Sequence, residues 1–544
     1  MRLTFIATAL LLFLTGCAGS PGLSGLFLTF VLFAFLATCR PTLGNDPLAP
    51  GLVRLLFQWQ GPRYGVERCN GTQDYTRSFD LSSVDLAAEG LGFKITGANA
   101  GDEFARTIRG VGDINGDGIQ DFAVSANRYN SDAGRIYIYS GKRDWSGDLN
   151  AADFSTSDGI LIEGGASDRI GRYINSVDGA GDVNGDGIDD MVTGTRAGDG
   201  ENWIIFGDRD RTSFDLGTYS TDHPKFVAMP AGTFYDTGFT AAGPGDVNGD
   251  GFNDVAFGGN AQGSTSEGKP VIIYGKASGW STVTTLDTIG TADGFYVRGE
   301  ANNVTLSVRG IGTPGDLNQD GFAEMIFGQA NPQPSAIVVY GVSGTRSNID
   351  TYGAPISAPD GFKVTGASGT ARAFAHGDFN GDGTPDFAIN NRTYNGSNGR
   401  VTVLFGDAGA LTIGAHSASQ GFTLEGSGAE RAGQSLAMSG DFNGDGIDDL
   451  VVGAYFADHS ATDSGSVYVI FGGLSGLPAT GATLSTYADG VHGFRIDGPA
   501  ASAYLGRDVD LADVNGDGCT DILLNTFNSA NTNDAFVIFG GEPE

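Results

Sequence analysis

Short apolar runs recur along the chain between glycine-rich polar stretches, and they fall into three kinds that return in a fixed order. The first is Gly92 to Gly97 (GFKITG), with counterparts at Gly159 to Gly164, Gly294 to Gly299, Gly361 to Gly366, Gly421 to Gly426 and Gly493 to Gly498, and a degenerate copy at Lys225 to Met229. Each predicts a short strand. The second is an apolar triad: Phe122-Ala123-Val124, Met191-Val192-Thr193, Val255-Ala256-Phe257, Met325-Ile326-Phe327, Phe387-Ala388-Ile389, Leu450-Val451-Val452 and Ile522-Leu523-Leu524. Triads without alternation predict strands buried on both faces. The third kind ends in glycine, as in Arg135 to Gly141, and returns at Trp203 to Gly207, Val271 to Gly275, Ile337 to Gly341, Val401 to Gly406, Val467 to Gly472 and Phe536 to Gly540. Its alternation predicts a more exposed strand.

With the stretch that leads into each polar loop, such as Ala105 to Gly112, every unit of roughly 65 residues holds four short strands. Seven such units predict an all-β fold, a seven-bladed β-propeller of four-stranded antiparallel blades. Seven independent hairpin domains are the alternative, but one such sheet buries too little to stand alone. The last unit has no GF-type strand after Phe536 to Gly540, whereas a spare one stands at Gly92 to Gly97. The ring is therefore expected to be closed by an N-terminal strand in the last blade. The expected organisation is a targeting segment over 1–39, an N-terminal extension or linker over 40–91 and the propeller over 92–541.

Between the lead-in stretch and the triad, each unit repeats D-x-N-x-D-G-x-x-[DE]. The candidate ligands, at positions 1, 3, 5 and 9, are Asp113, Asn115, Asp117 and Asp121; Asp182, Asn184, Asp186 and Asp190; Asp246, Asn248, Asp250 and Asp254; Asp316, Asn318, Asp320 and Glu324; Asp378, Asn380, Asp382 and Asp386; Asp441, Asn443, Asp445 and Asp449; and Asp513, Asn515, Asp517 and Asp521. Calcium takes six to eight oxygen ligands from carboxylates, amide oxygens and carbonyls, which is the set such a loop supplies, so up to seven Ca²⁺ ions are expected. Asp, Asn and Gly also favour ordinary solvated turns, but turn propensity leaves most of these positions free, and seven copies hold them. An EF-hand would need Glu at position 12 between two helices. Here position 12 is Val124, Thr193, Phe257, Phe327, Ile389, Val452 or Leu524. Copies 62 to 72 residues apart also exclude the cysteine-rich thrombospondin-type repeats. The fourth loop departs at Gln319, where the others have Gly, and at Glu324, and is expected to be the weakest site. The fifth carries Thr384-Pro385, which removes an amide donor and leaves the ligand set intact.

Composition changes this picture little and charge changes it more. The 64 acidic residues against 31 basic ones give a net charge of −33, which opposes binding to nucleic acid or anionic lipid. Three carboxylates per loop account for 21 of those 64 acids. The 88 glycines fit frequent turns, and 35 Phe and 17 Tyr supply a core, so acidic disorder is excluded.

Met1, Arg2 and the apolar run Leu3 to Thr15 form a secretory-type start. Leu14 to Cys17 resembles a bacterial lipobox, with Cys17 as the candidate lipidated residue. A second apolar run, Leu26 to Thr38, is also too short to span a bilayer. The chain is thus expected to be extracytoplasmic, secreted or at the cell surface, with membrane contact only through its N-terminal segment. Beyond Cys17 and Cys39, the cysteines are Cys69 and Cys519, too few for a disulfide scaffold and matching no zinc spacing; closure of the ring would bring these two within reach of each other.

Units built as GF-x-[IV]-x-G, the nine-residue loop, an apolar strand and a Gly-terminated strand resemble the FG-GAP repeats of the integrin α-chain N-terminal propeller, in a prokaryotic form, across residues 92 to 541. The resemblance implies calcium in the loops on the lower face and ligands or partner chains on the opposite face. Leg domains and an inserted domain are absent from the pattern, so an integrin β-type partner is not implied. The leading functional expectation is a non-enzymatic adhesion or recognition module with an unknown protein or glycan ligand. A calcium-dependent lectin is the alternative, with Trp145, Trp203 and Trp280 as candidates. A polysaccharide- or lipid-acting enzyme would need a constellation that His223, His376, His416, His459 and His492, scattered and outside any HExxH or GxSxG pattern, do not supply.

Overall fold

The computed structural model describes residues 72–73 and 78–543 apart from short segments, the longest being 217–224 and 228–233. The chain separates into residues 1–66 and 67–544, and the described residues all lie in the second unit. The targeting segment 1–39, Cys17, Cys39, Cys69 and His223 lie outside the described residues.

The fold is an all-β seven-bladed propeller. Each of the seven sheets runs in the order lead-in strand, triad strand, Gly-terminated strand, GF-type strand, as in Phe104–Gly112, Asp121–Ala126, Arg135–Tyr139 and Gly159–Glu163 of the first blade. These four pair antiparallel. The lead-in strands of successive blades contact one another in a closed series, the seventh (Val509–Ala512) meeting the first. They therefore line the ring axis.

Each sheet has five strands where the sequence predicts four. The fifth is a two- or three-residue strand that runs parallel to the GF-type strand and comes from a different unit: Phe214–Asp215, which leads into the second unit's degenerate GF-type strand, joins Gly159–Glu163 of the first blade. Two residues are too few to carry a period, so no sequence pattern announces them. Upstream of the first repeat, Phe79–Asp80 supplies this edge for the sixth blade by pairing with Ile496 and Asp497. The strand Gly92–Thr96 lies in the seventh sheet, paired antiparallel with Asp534–Ile538, and Leu149–Asn150 pairs with it on its other side.

The unalternating triads follow from radial packing. Among the described residues the apolar core divides into seven clusters, one at each junction between neighbouring blades. On one strand Met191 packs toward Ile136 and Ile138 of the first blade, while its neighbour Val192 packs with Val255 and Phe257 of the third. Both faces of every sheet are covered. For the same reason the Gly-terminated strands are not the exposed ones that their alternation predicts: Ser335–Val339 and Arg400–Leu404 are buried throughout. They are third of five strands, with another blade against each face.

The invariant glycine of the GF-type strand has a steric cause. Gly92, Gly159, Gly294, Gly361, Gly421 and Gly493 sit at φ between +146° and +155°, and a Cβ there would fall 1.9 to 2.1 Å from a carbonyl oxygen of the adjoining Gly-terminated strand. No side chain fits. Cys519, fully buried, is disulfide-bonded. Glu542–Pro543 pairs in parallel with Thr72–Gln73.

A chain beginning at Ala98 loses both Phe79–Asp80 and Gly92–Thr96, and leaves the Asp534–Ile538 edge unpaired. It is expected to melt well below a chain beginning at Ser78, and equal melting temperatures would contradict these pairings.

Candidate metal loops on one face of the ring

All 28 candidate ligands fall in the seven connections from lead-in strand to triad strand or on the first residue of the triad strand, so they share one face of the ring, here the lower face. Within each loop the side chains first satisfy the backbone. The position 1 carboxylate accepts the N–H groups of positions 5 and 6, as Asp113 does from Asp117 (2.9 Å) and Gly118 (2.8 Å). The position 3 amide oxygen accepts from position 5, and the position 5 carboxylate from position 7, as in Asn115 to Asp117 (2.9 Å) and Asp117 to Ile119 (3.0 Å). The same bonds recur in the loops of Asp182, Asp246, Asp316, Asp378, Asp441 and Asp513. A carboxylate has about four lone-pair sites, so these bonds leave acceptor capacity for a cation.

Position 9 has a second role that the sequence reading does not anticipate. Asp121, Asp190, Asp254, Glu324, Asp386, Asp449 and Asp521 are all fully buried. Each accepts one N–H from the start of its own loop and another from the glycine that ends the third strand. Asp190 takes Val183 at 2.8 Å and Gly207 at 2.8 Å; Asp449 takes Phe442 and Gly472, both at 2.9 Å. In the fifth loop the own-loop donor moves to position 3, Asn380. Burial pushes these carboxyls up, to about 8 for Asp121, Asp254 and Glu324, to about 7 for Asp190 and Asp386, and well above the ordinary value for Asp449 and Asp521. The glycine N–H bonds oppose the shift and the neighbouring loop carboxylates add to it.

The fourth loop differs in a way that follows from one methylene. Glu324 bonds Leu317 at 2.6 Å, but its bond to the strand-ending Gly341 is stretched to 3.4 Å, against 2.8 to 3.0 Å for the matching glycine bonds elsewhere. The longer side chain carries its head group toward the loop acids. Asp316, Asp320 and Glu324 each offer an oxygen, and these lie within 4.8 Å of one another. Among the described residues this is the acidic group that converges most closely. It is the loop singled out from sequence as least favourable.

Neighbouring loops are joined into a series. The N–H of position 8 donates to the position 1 carbonyl of the preceding loop in Asp189 to Asp113 (3.2 Å), Asn253 to Asp182 (3.1 Å), Ala323 to Asp246 (3.0 Å), Asp448 to Asp378 (3.3 Å) and Thr520 to Asp441 (3.0 Å). In four loops position 4 meets position 7 of the next loop: a Cβ on Gly185 would lie 2.4 Å from Phe252, on Gly249 2.3 Å from Phe322, and on Gly381 and Gly516 3.1 Å from Ile447 and Ile119, whereas in the first loop Gly116 faces Arg209. Glycine there makes room for the large neighbour. At the fourth-to-fifth junction both rules change together. Pro385 has no N–H to give, position 7 is the small Thr384, and Gln319, at φ +58°, donates through Nε2 to Thr384 Oγ1 at 2.5 Å. The two departures are one compensated contact.

The remaining candidates separate. Trp203 is buried in the core between the first and second blades, so it is no ligand contact. Trp280 packs on Phe206 and donates to the Lys276 carbonyl. The described histidines stand in unrelated places: His376 is half-buried on a lead-in strand, His416 accepts from the Gly414 N–H, His459 bonds Tyr468, and His492 pairs with Asp489. No nucleophile and base come together with them among the described residues.

The FG-GAP repeat profile matches residues 110–139, 370–404 and 432–470, which hold the first, fifth and sixth loops. The chain carries FG-GAP repeats. Its propeller resembles the integrin α-chain N-terminal domain, and integrin alpha-PS5 of Drosophila melanogaster is 31% identical over 160 residues, 27% of this chain and 14% of that protein. The match thus spans about a seventh of that relative's length. No helix among the described residues is long and apolar enough to cross a membrane.

Thr384→Ile should destabilise the protein by about 1–3 kcal/mol by crowding Gln319, whereas the same change in a Gln319→Gly background restores the glycine-to-large pairing seen at four other junctions and costs little. Denaturant unfolding of the four species checks this. Additive losses would mean that Gln319 and Thr384 are uncoupled.

Proposed function

We propose that the lower-face loops bind calcium, up to seven ions, and that the chain is an extracytoplasmic, calcium-rigidified propeller used for adhesion or recognition. The convergence of Asp316, Asp320 and Glu324 carries the metal part of this reading, since three hard oxygen donors within 4.8 Å suit a calcium-sized ion. A bound cation would neutralise carboxylates held close together. The likeness to integrin alpha-PS5 supports the recognition part. The disulfide at Cys519 supports an oxidising compartment. Closure belongs to the same reading: Gly92–Thr96 beside Asp534–Ile538 ties the chain's two ends together and holds the first and seventh loops in one ring.

A lectin is the second reading. A cavity of about 320 Å³ beside the seventh loop is lined by Arg143, Trp145, Asn515 and Asp517, which combines a ring face, a cation and two candidate calcium ligands. Trp145 stacks on Phe93 with centroids 4.5 Å apart and donates to the Val514 carbonyl, which fixes the ring beside that loop.

Probing an array of matrix proteins and glycans with the full chain, with calcium and with chelator, tests the two. Calcium-dependent protein binding is expected. Calcium-dependent binding confined to glycans would favour the lectin, and binding to neither would contradict both.

A further inference from the structure

On the upper face, where triad strands end and lead-in strands begin, two arginines stand against one aromatic ring. Phe527, 4% exposed, has the guanidinium of Arg507 4.3 Å from its ring centroid and that of Arg106 4.5 Å away. Arg106 is tied to the second blade by its Nε bond to the Arg172 carbonyl, at 2.9 Å. The carboxylates nearby are engaged elsewhere: Asp508 pairs with Arg109 at 2.6 Å, and Glu103 lies 3.6 Å from Arg128. Among the described residues no carboxylate reaches Arg106 or Arg507 within 4.0 Å, and the buried Nε of Arg507 has no hydrogen-bond partner. Burial, with repulsion from Arg507, lowers Arg106 to about 10, and burial lowers Arg507 as well.

Glu103 is the carboxylate whose charge acts on both arginines, yet among the described residues none forms an ion pair with either, and holding two half-buried arginines against one ring without such a pair is unfavourable. Stacking on the ring of Phe527 engages the guanidinium faces, and with Arg106 Nε bonded to Arg172 and Arg507 Nε buried, the terminal N–H groups are the ones that would meet a carboxylate, which such forks bind in a bidentate manner. We propose that Arg106 and Arg507 form an acceptor site on the upper face for an acidic side chain of a protein partner. A short acidic segment is favoured over an extended polyanion, because a chain of net charge −33 opposes the approach of a long acidic polymer more than that of a short one. The inference rests on the reading of the propeller as a recognition module and gives that module a ligand chemistry.

The test measures binding of an oligoglutamate peptide and of polygalacturonate to the full chain in calcium buffer. The peptide should bind, more weakly as salt rises, and R106Q/R507Q should lose at least about tenfold in affinity. In the unaltered protein the peptide should protect Arg106 and Arg507 from phenylglyoxal, read by mass spectrometry, which decides the matter even if the double variant does not fold. Unchanged binding by a folded double variant, lack of protection, or polygalacturonate binding as tightly as the peptide would each overturn the proposal. A protein ligand found on the array whose binding survives R106Q/R507Q would leave the recognition reading standing and remove the acidic-ligand site.

Discussion

A buried carboxylate at the ninth loop position fastens each loop to its own blade. It takes one N–H from the loop's start and one from the glycine that ends the third strand, and in all seven copies no water reaches it. Removing it would leave two buried donors without a partner, each costing on the order of 1–3 kcal/mol. The rest of the lower face depends on that fastening. Because the loop starts are fixed, five of the position 1 carbonyls stand where the next blade's N–H groups reach them, and four of the position 4 glycines stand where the next loop's large side chain fits.

The ninth position thus belongs to the fold and to the candidate metal site at once. An aspartate reaches both backbone donors and stops there. Glu324 reaches one well and the other poorly, and its carboxylate joins Asp316 and Asp320. The loop that departs from the pattern is the one whose acids converge, and its other departure, Gln319, is answered across the blade boundary by Thr384.

What is legible in the sequence is what every unit needs for the same reason. The triads, the GF-type strands and the loop ligands repeat because seven equivalent junctions impose the same packing, and the GF glycine because a carbonyl occupies the place of its Cβ. The fifth strands are too short to show a period. The Gly-terminated strands mislead because their polar positions are often tyrosines, whose rings are buried as well: Tyr139 stacks on Phe122 at 5.2 Å and meets Phe154 edge-on at 5.0 Å. Contacts between blades, such as Gln319 with Thr384 or Arg106 with the loop after the seventh triad strand, join residues whose relation only the closed ring reveals.

Thermal melting across pH, with calcium and with chelator, tests the account most directly. Burial raises the ninth-position carboxyls in the metal-free fold, so between about pH 4 and pH 8 the folded protein holds more protons than the unfolded chain, and stability is lost as pH rises through that window. A bound cation favours the ionised loop and stabilises the fold by mass action. The chelated protein should melt at falling temperature from pH 5 to pH 8, and the calcium-loaded protein should melt higher at pH 8 with little dependence on pH. Superimposable curves at pH 8, once the metal is shown to have left the chelated sample, would contradict the claim that calcium holds the lower face of the ring.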